Sequence, residues 1–155
     1  MPPTAAQLIA HLHLAPLPGE GGYFRQTSCR PAASAIVFLL TPRDFSALHR
    51  IAQDEVWHFY AGDPVEHVQF VADGSVAVAR MGSQVLAGEQ PQVLVPAGIW
   101  QGARLAPAPA GGAGYALLGC TVSPPWYERG FELGARAELL AGFPAHAGWV
   151  HALTR

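Results

Sequence analysis

The chain has 155 residues, of which half are hydrophobic and 13% are charged. That length and composition predict one folded domain over residues 1–155 rather than a disordered chain. The formal net charge is -2, so no excess of basic residues is available to neutralise phosphates, and a nucleic-acid partner is not expected. No apolar run reaches the length of a membrane span, and the N-terminus does not have the pattern of a secretory signal. We therefore expect a cytoplasmic protein that does not contact membranes.

Two amino acids are missing from the sequence: it contains no Lys and no Asn, and all nine of its basic residues are Arg. Without Lys there is no Schiff-base nucleophile for pyridoxal phosphate and no phosphate loop of the G-x-x-x-x-G-K type. Without Asn there is no N-glycosylation acceptor and no Cys-His-Asn triad. Cys29 and Cys120 lack metal-type spacing, and we interpret both as small apolar core residues.

The first predicted element is a helix with Thr4 as its N-cap and Gln7 three residues later, in capping-box spacing. Pro16 and Pro18 are expected to end it. Beyond them the pattern changes to short apolar or alternating runs separated by turn residues. Nine such runs predict an antiparallel sandwich or barrel. The predicted strands are 23–28, 34–41, 46–51, 55–62, 65–72, 75–82, 92–96, 99–105 and 114–122.

Two segments complete this organisation. PAPAGGAG, residues 107–114, is interpreted as a loop tip rather than a linker, because a strand pattern resumes directly after it. A closing helix is predicted over roughly 135–143, where Leu139 and Phe143 share an apolar side and Pro144 stops the helix. The expected fold class is therefore all-β with short N- and C-terminal helices.

The stretch HRIAQDEVWHFYAG, residues 49–62, concentrates histidines, acidic residues and aromatics in two predicted strands joined by a short turn. Because alternate residues of a strand share a face, His49 should point into the interior from the first strand, and Glu55, Trp57 and Phe59 from the second. We expect the turn to bring the two strands side by side, so that His49 and Glu55 face into one cavity.

This stretch resembles the first motif of the cupin superfamily, in which two histidines and a glutamate bind a metal ahead of a glycine turn. His49, Ile51, Glu55 and Gly62 occupy the motif positions, and PAGIWQ, residues 96–101, resembles the second cupin motif. Together with EGGYFRQT, QPQVLVPAGIWQGA and the C-terminal tail, these blocks make nearly the whole chain similar to the fifth cupin profile family, a group of small proteins of unknown function. The resemblance implies a double-stranded β-helix, the cupin jelly-roll barrel, with a pocket inside it and usually a homodimeric assembly.

Two ligand positions of the cupin motifs are changed in this sequence. The second histidine of the first motif is Ile51, and the histidine of the second motif is Gln101. Because a catalytic metal normally has three protein ligands from His, Asp or Glu, we expect a site without a tightly bound transition metal and without another cofactor. A weakly bound divalent ion, if present, would be held by His49, Glu55 and Gln101 with waters.

The predicted catalytic residues are His49 and Glu55, which would exchange protons with a bound molecule. Arg25 is expected either to hold an acidic group of a ligand or to form a salt bridge at the rim or surface. The role of His58 is left open between catalysis and a structural position under a dimer contact. Aromatic residues taken singly are more often core than ligand platform, but together around a histidine and a carboxylate they are typical of a pocket wall. The predicted ligand-binding residues are Tyr23, Arg25, Trp57, Phe59, Trp100, Gln101 and Trp126.

The preferred function is that of a small-molecule-binding cupin. It would act as an isomerase or epimerase, by proton transfer, on a carbohydrate derivative or another small polar or acidic metabolite. The family's similarity in fold to sugar-nucleotide epimerases supports this only by analogy. The alternatives are a non-catalytic metabolite-binding module and a metal-dependent cupin enzyme. The expected partners are a small-molecule ligand and a second copy of the chain, which would cover exposed sheet edges.

Overall fold

The computed structural model describes residues 1–107 and 111–155 of the chain, which form two antiparallel sheets. In the described residues the first sheet has the spatial order β1 (Ala15–Pro16), β2 (Tyr23–Cys29), β3 (Ser34–Leu40), β10 (Ala116–Ser123), β5 (Asp54–Gly62) and β8 (Gln92–Val95). The second has the order β11 (Phe131–Leu133), β4 (Ser46–Ile51), β9 (Trp100–Leu105), β6 (Val65–Phe70) and β7 (Val76–Met81).

The nine predicted strands are all present, with ends that differ from the sequence-based limits by at most two residues. This confirms the all-β fold class with antiparallel sheets and short terminal helices. Two further strands, β1 and β11, contain only two and three residues. They are too short to produce an alternating pattern that the sequence could show.

The chain between β4 and β5 does not form the hairpin that we expected. β4 pairs with β9 and β11 in one sheet, whereas β5 pairs with β10 and β8 in the other. The linking residue Gln53 is buried and donates from Nε2 to the Pro125 carbonyl at 2.9 Å, so the connection crosses between the sheets instead of turning back along one of them. His49 and Glu55 therefore approach the barrel interior from facing sheets and not from neighbouring strands.

The N-terminal helix α1 (Ala5–His11) begins with the predicted capping box. The Gln7 backbone N–H donates to the Thr4 hydroxyl, and the Thr4 N–H donates to the Gln7 side chain. The helix ends earlier than Pro16, because the chain leaves the helical conformation at His13, which has a φ of 54°.

The C-terminal region contains the predicted closing helix, α2 (Arg136–Gly142), and one more helix that was not predicted, α3 (Ala147–Ala152). Six residues are too few for a helical periodicity to be visible in the sequence. Among the described residues, no helix is long and apolar enough to cross a membrane. Within the interpreted loop tip, residues 108–110 lie outside the described residues.

Three apolar clusters hold these elements together. The interior cluster contains buried residues of both sheets, including Phe38 and Trp57 from the first and Val65 and Met81 from the second. Helix α1 covers the outer face of the first sheet. Helices α2 and α3 cover the outer face of the second sheet. The interior cluster fills only part of the barrel and leaves a cavity at one end.

Candidate functional site

The cavity between the two sheets has a volume of about 330 Å³. This lies at the small end of the range of roughly 300–1,000 Å³ that ligand pockets occupy. Most of its wall is apolar, with side chains such as Phe24, Ile36 and Val122. Its polar wall residues are Glu20, Ser34, His49, Glu55, Cys120 and Glu128.

His49 is buried on β4, with 2% of its surface exposed. Its Nδ1 lies 2.8 Å from the Ala47 carbonyl oxygen. A carbonyl oxygen only accepts hydrogen bonds, so Nδ1 carries the proton and Nε2 of the neutral ring has a free lone pair. The ring stacks on Phe131 at 5.5 Å between centroids. These two contacts fix the orientation of an imidazole whose Nε2 is available to a molecule in the cavity.

Glu20 is a cavity residue that the sequence analysis did not select. Its Oε1 lies 3.8 Å from Nε2 of His49 and accepts a hydrogen bond from the Ser46 hydroxyl at 2.7 Å. It precedes a turn in which Gly21 and Gly22 both have positive φ, and a Cβ on Gly21 would lie 2.3 Å from the Phe45 carbonyl oxygen. The available signal was its position: Glu20 begins the EGGYFRQT block, directly before a turn that only glycine can make.

Glu55 reaches the cavity from β5 on the opposite sheet, and it is 7% exposed. Its Oε2 accepts a hydrogen bond of 2.6 Å from Nε2 of Gln101. Burial raises the pKa of Glu55 above its ordinary value; His49 partly opposes this effect and Glu20 reinforces it. The site therefore contains a carboxyl group that retains its proton to a higher pH than an exposed glutamate does.

Gln101 connects Glu55 to the closed part of the barrel. Its Oε1 accepts hydrogen bonds from Nε1 of Trp57 at 2.8 Å and from Nε2 of His67 at 3.2 Å. Indole N–H is only a donor, so the amide oxygen must face Trp57 and the amide nitrogen must face Glu55. Burial lowers the pKa of His67 to about 4, which keeps this ring neutral near pH 7.

Comparison with known proteins identifies the family. A family model described as Cupin superfamily (DUF985) matches residues 6–134. The chain belongs to this cupin family. Two solved structures are similar over almost their whole lengths. A hypothetical protein from Leishmania major is 31% identical, with a TM-score of 0.91 and coverage of 98% of this chain and 99% of that one. A Shewanella oneidensis protein is 33% identical, with a TM-score of 0.91 and 99% coverage of each chain.

More distant solved structures share the cupin fold alone. A cupin 2 conserved barrel domain protein from Rhodopseudomonas palustris is 13% identical, with a TM-score of 0.61 and coverage of 90% of this chain and 83% of that one. Oxalate decarboxylase from Bacillus subtilis is 14% identical, with a TM-score of 0.60 and coverage of 90% of this chain and 37% of that one. No curated protein matches this chain.

The residues at the cupin metal positions do not fit a three-ligand metal centre. Ile51 offers no donor atom, and the amide oxygen of Gln101 is directed to Trp57 and His67 instead of the cavity. In the described part of the chain, no group of three or more His, Cys, Asp or Glu side chains is arranged to hold a metal ion. Of the three residues considered for a weakly bound ion, only His49 and Glu55 therefore direct a donor atom into the cavity, and Gln101 does not.

Five of the residues predicted for the site are brought together in this cupin. His49, Glu55 and Trp126 line the cavity. Gln101 and Trp57 lie directly behind Glu55, where the hydrogen bonds described above connect them. Trp57 is 1% exposed and belongs to the interior cluster, so it supports the site without forming its wall.

The other four predicted residues lie elsewhere, which corrects those expectations. Arg25 is exposed on β2, where the alternation of the strand turns its neighbour Phe24 into the cavity instead. Tyr23 packs in the outer cluster under α1, and Phe59 packs against the interior cluster. Trp100 belongs to the outer cluster under α2 and α3, and the Arg50 guanidinium lies 4.5 Å from its ring.

His58 faces away from the cavity. Its Nδ1 accepts a hydrogen bond from Gln92 at 3.2 Å, and its Nε2 lies 3.0 Å from the Thr121 hydroxyl. This geometry makes His58 part of the outer face of the first sheet and removes it from the candidate catalytic set.

Cys120 lies on the cavity wall beside Glu55. Burial raises the pKa of its thiol well above the ordinary value, and the nearby Glu55 and Glu20 add to this effect. A thiol held in this neutral form is a poor nucleophile. The residue therefore serves as a small wall element, in agreement with its interpretation as an apolar core residue. The same interpretation is wrong for Cys29, which is exposed at the end of β2.

Proposed function

We propose that the cavity binds a small polar metabolite and that His49 and Glu55 transfer protons to and from it, as in an isomerase or epimerase. One observation carries this proposal: two side chains that can exchange protons, an imidazole and a carboxyl group, line one cavity from facing sheets. His49 presents an unprotonated Nε2 in its neutral form, and Glu55 has a raised pKa. Such pairs of titratable groups with divergent environments are typical of acid–base sites.

The proposed reaction requires a substrate with a C–H bond next to a carbonyl group. His49 Nε2 takes the proton from that carbon while the Glu55 carboxyl gives its proton to the carbonyl oxygen. The C–H electron pair becomes the C=C bond of an enol, and the C=O π pair becomes the new O–H bond. Return of a proton to the opposite face, or to the neighbouring carbon, completes epimerisation or isomerisation. Glu20, 3.8 Å from Nε2, would stabilise the imidazolium in between.

Heavy-water exchange tests this proposal. The protein is incubated in D₂O with neutral hexoses, amino sugars and sugar phosphates, and deuterium incorporation at carbon is followed by NMR. We expect exchange on at least one class, and a loss of about 100-fold or more in each of His49→Gln and Glu55→Gln, because general acid–base groups contribute rate factors of this order. His151→Gln, which changes an exposed histidine on α3, is the matched control.

Saturable binding without exchange would contradict the catalytic proposal and favour the alternative of a binding module. Exchange that survives both His49→Gln and Glu55→Gln would place the chemistry outside this cavity.

We also infer that the chain forms a homodimer through the outer face of the first sheet at β5 and β8, away from the strands that α1 covers. Its edge strand β8 pairs with β5 on one side, and Leu94 and Tyr60 on these strands are 55% and 57% exposed. Sedimentation equilibrium should give a dimer at micromolar concentration, and Leu94→Arg should shift it to monomer. The control Leu86→Arg changes an exposed leucine outside the sheets and should leave the dimer intact. A monomeric wild type would exclude this assembly.

A further inference from the structure

The charge of the cavity wall is one-sided. Three carboxylic acids, Glu20, Glu55 and Glu128, line it, and His49 is the one cation-forming side chain among the described lining residues. The sequence contains no Lys, and none of its nine arginines is among those lining residues. Even with Glu55 protonated, two carboxylates face the space that a ligand would occupy.

Four acidic residues elsewhere in the chain have arginine partners, whereas the cavity carboxylates have none among the described residues. Glu20 has a side chain that is 13% exposed, and within the described residues its only side-chain hydrogen bond comes from the neutral Ser46 hydroxyl. The nearest cation-forming atom, His49 Nε2, is 3.8 Å away, beyond hydrogen-bond distance. A half-buried carboxylate with one neutral hydrogen bond remains available to a positively charged group. The paired acids elsewhere are Glu132 with Arg50, Glu89 with Arg80, Glu66 with Arg104 and Asp44 with Arg155.

The aromatic rings of the cavity show the same contrast. Trp126 and Phe131 line the cavity and meet edge to face, with centroids 6.4 Å apart. In the described part of the chain, no guanidinium lies over either ring, although a cation over an aromatic face is favourable. Elsewhere in the described chain, guanidinium groups do lie over aromatic rings: Arg50 over Trp100, Arg104 over Trp149 and Arg155 over Phe45.

A third feature is a ring nitrogen of His49 that opens to the cavity and has no hydrogen-bond partner in the described part of the chain. His49 is 2% exposed, its Nδ1 is satisfied by Ala47, and its Nε2 has no hydrogen-bond partner among the described residues. A buried nitrogen that lines a cavity and lacks a partner is an acceptor for a donor group of a bound molecule. A protonated amine or an amidinium supplies such N–H donors.

We infer that the ligand of this cavity is a small cation, a protonated amine or an amidinium on a compact apolar or hydroxylated body. Its charge contacts Glu20 and Glu128 and the faces of Trp126 and Phe131. Sugar phosphates, nucleotide sugars and carboxylic acids are disfavoured, since Arg25, the residue expected to hold an acidic group, lies outside. The inference rests on the proposed function for the location of the site but not for its chemistry.

Three probes of similar shape and different charge test the inference: benzylammonium, benzyl alcohol and benzoate, titrated by isothermal calorimetry at pH 7. We expect benzylammonium to bind about tenfold more tightly than benzyl alcohol, the ratio that one favourable charge contact of about 1.4 kcal/mol gives. Benzoate should bind most weakly. Glu20→Gln and Glu128→Gln should each reduce the preference for benzylammonium several-fold. Glu138→Gln removes the same charge from an exposed position on α2 and should preserve it.

Several outcomes overturn the inference. These are benzoate binding as tightly as benzylammonium, benzylammonium binding no better than benzyl alcohol or not at all, and a preference that persists in both cavity variants. Glu128 is exposed, so its variant tests the charge even if Glu20→Gln proves unstable. Cation binding without heavy-water exchange would refute the catalytic proposal alone. Exchange on a neutral or phosphorylated sugar without a cation preference would refute the ligand class alone.

Discussion

His49 and His67 are both buried in the barrel interior, but the two rings lie in different surroundings. His67, at the closed end, donates to Gln101 and meets the Trp57 ring edge to face at 4.9 Å between centroids. His49, at the open end, is fixed on its Nδ1 side by Ala47 and leaves Nε2 to the cavity. The closed end satisfies its polar groups within the fold except for Nδ1 of His67, which has no hydrogen-bond partner among the described residues. The open end fixes the orientation of its polar groups without completing their interactions.

This difference has an energetic meaning. A hydrogen-bonded buried network stabilises the folded chain, whereas buried titratable groups that lack partners reduce its stability. Gln101 joins the two ends, because its oxygen binds the closed-end donors and its nitrogen binds Glu55. We therefore expect mutations at the closed end to change the free energy of unfolding, and mutations at the open end to change ligand binding and exchange.

The largest expected effect is on stability at the closed end. Trp57→Ala should lower the free energy of unfolding by about 3–5 kcal/mol, because it removes a fully buried indole and leaves a cavity. Trp126→Ala, at the open end, removes an indole that is 41% exposed and should lower it by less than about 1 kcal/mol. Urea unfolding of both variants measures the contrast. Equal losses would contradict the division of the barrel into a structural and a ligand-binding end.

The second effect is a pH dependence that originates at His67. Its pKa falls from 6.5 to about 4 on folding, so between these values the unfolded chain binds the extra proton. The His67 contribution is therefore complete above about pH 6.5 and is lost as the pH falls towards 4, to a total of about 3 kcal/mol. His67→Gln should remove this slope from urea-derived unfolding free energies. His151→Gln should retain it, and a wild type with the same slope as His67→Gln would contradict the assignment.

The alternation of strands explains which parts of the site the sequence could predict. His49 shares its strand face with the apolar Ile51, and Glu55 shares its face with Trp57, so parity predicted that both point inward, and both line the cavity. On β2 the sequence YFRQTS has aromatic and polar residues at both parities, so periodicity could not decide whether Arg25 or Phe24 faces inward. Trp100 precedes an inward-facing residue and so had to face outward. Glu20 lies on a turn, where strand periodicity gives no information.

The pairing of strands was harder to predict than their positions. Two strands joined by a short turn usually form a hairpin, and the sequence between β4 and β5 contains nothing that excludes one. The sheet crossing depends on the buried side chain of Gln53 and its hydrogen bond to Pro125, a contact between residues far apart in the chain. Long-range contacts of this kind are not visible in local patterns.

A smaller effect is expected from the hydrogen bond that orients Gln101. Trp57→Phe keeps most of the apolar volume but removes the indole N–H, leaving His67 as the remaining donor to the amide oxygen. This should cost about 1–2 kcal/mol of unfolding free energy. Without the indole donor the amide can also rotate, because neutral His67 can carry its proton on Nδ1 and accept from the amide nitrogen. The amide oxygen would then face Glu55, which favours protonated Glu55 further. The pH profile of exchange should then shift upward, whereas an unchanged profile would mean that Gln101 does not depend on Trp57 for its orientation.

The smallest change in stability is expected for Glu55→Gln, and its sign distinguishes the two ends. Because burial raises the pKa of Glu55, the folded chain holds the proton more tightly than the unfolded chain does. The stabilisation that this gives is present below pH 4.5 and is lost as the pH rises through the raised pKa of the folded state. Glutamine has nearly the same volume and its oxygen can accept the Gln101 N–H, so the variant should be as stable as wild type at pH 7, or slightly more stable. Exchange should nevertheless be abolished.

Glu89→Gln is the matched control, since Glu89 and Glu55 are 8% and 7% exposed. Glu89 accepts hydrogen bonds from Arg80 at 3.0 Å and from the Gln84 backbone at 2.8 Å, so its carboxylate is used by the fold. Losing that charge-assisted pair should cost about 1–3 kcal/mol and leave exchange unchanged. If Glu55→Gln is instead the more destabilising of the two, the Glu55 carboxyl is chiefly a structural partner of Gln101. Its raised pKa then reflects burial that the fold itself requires, and the acid in the proposed proton transfer must be sought at Glu20.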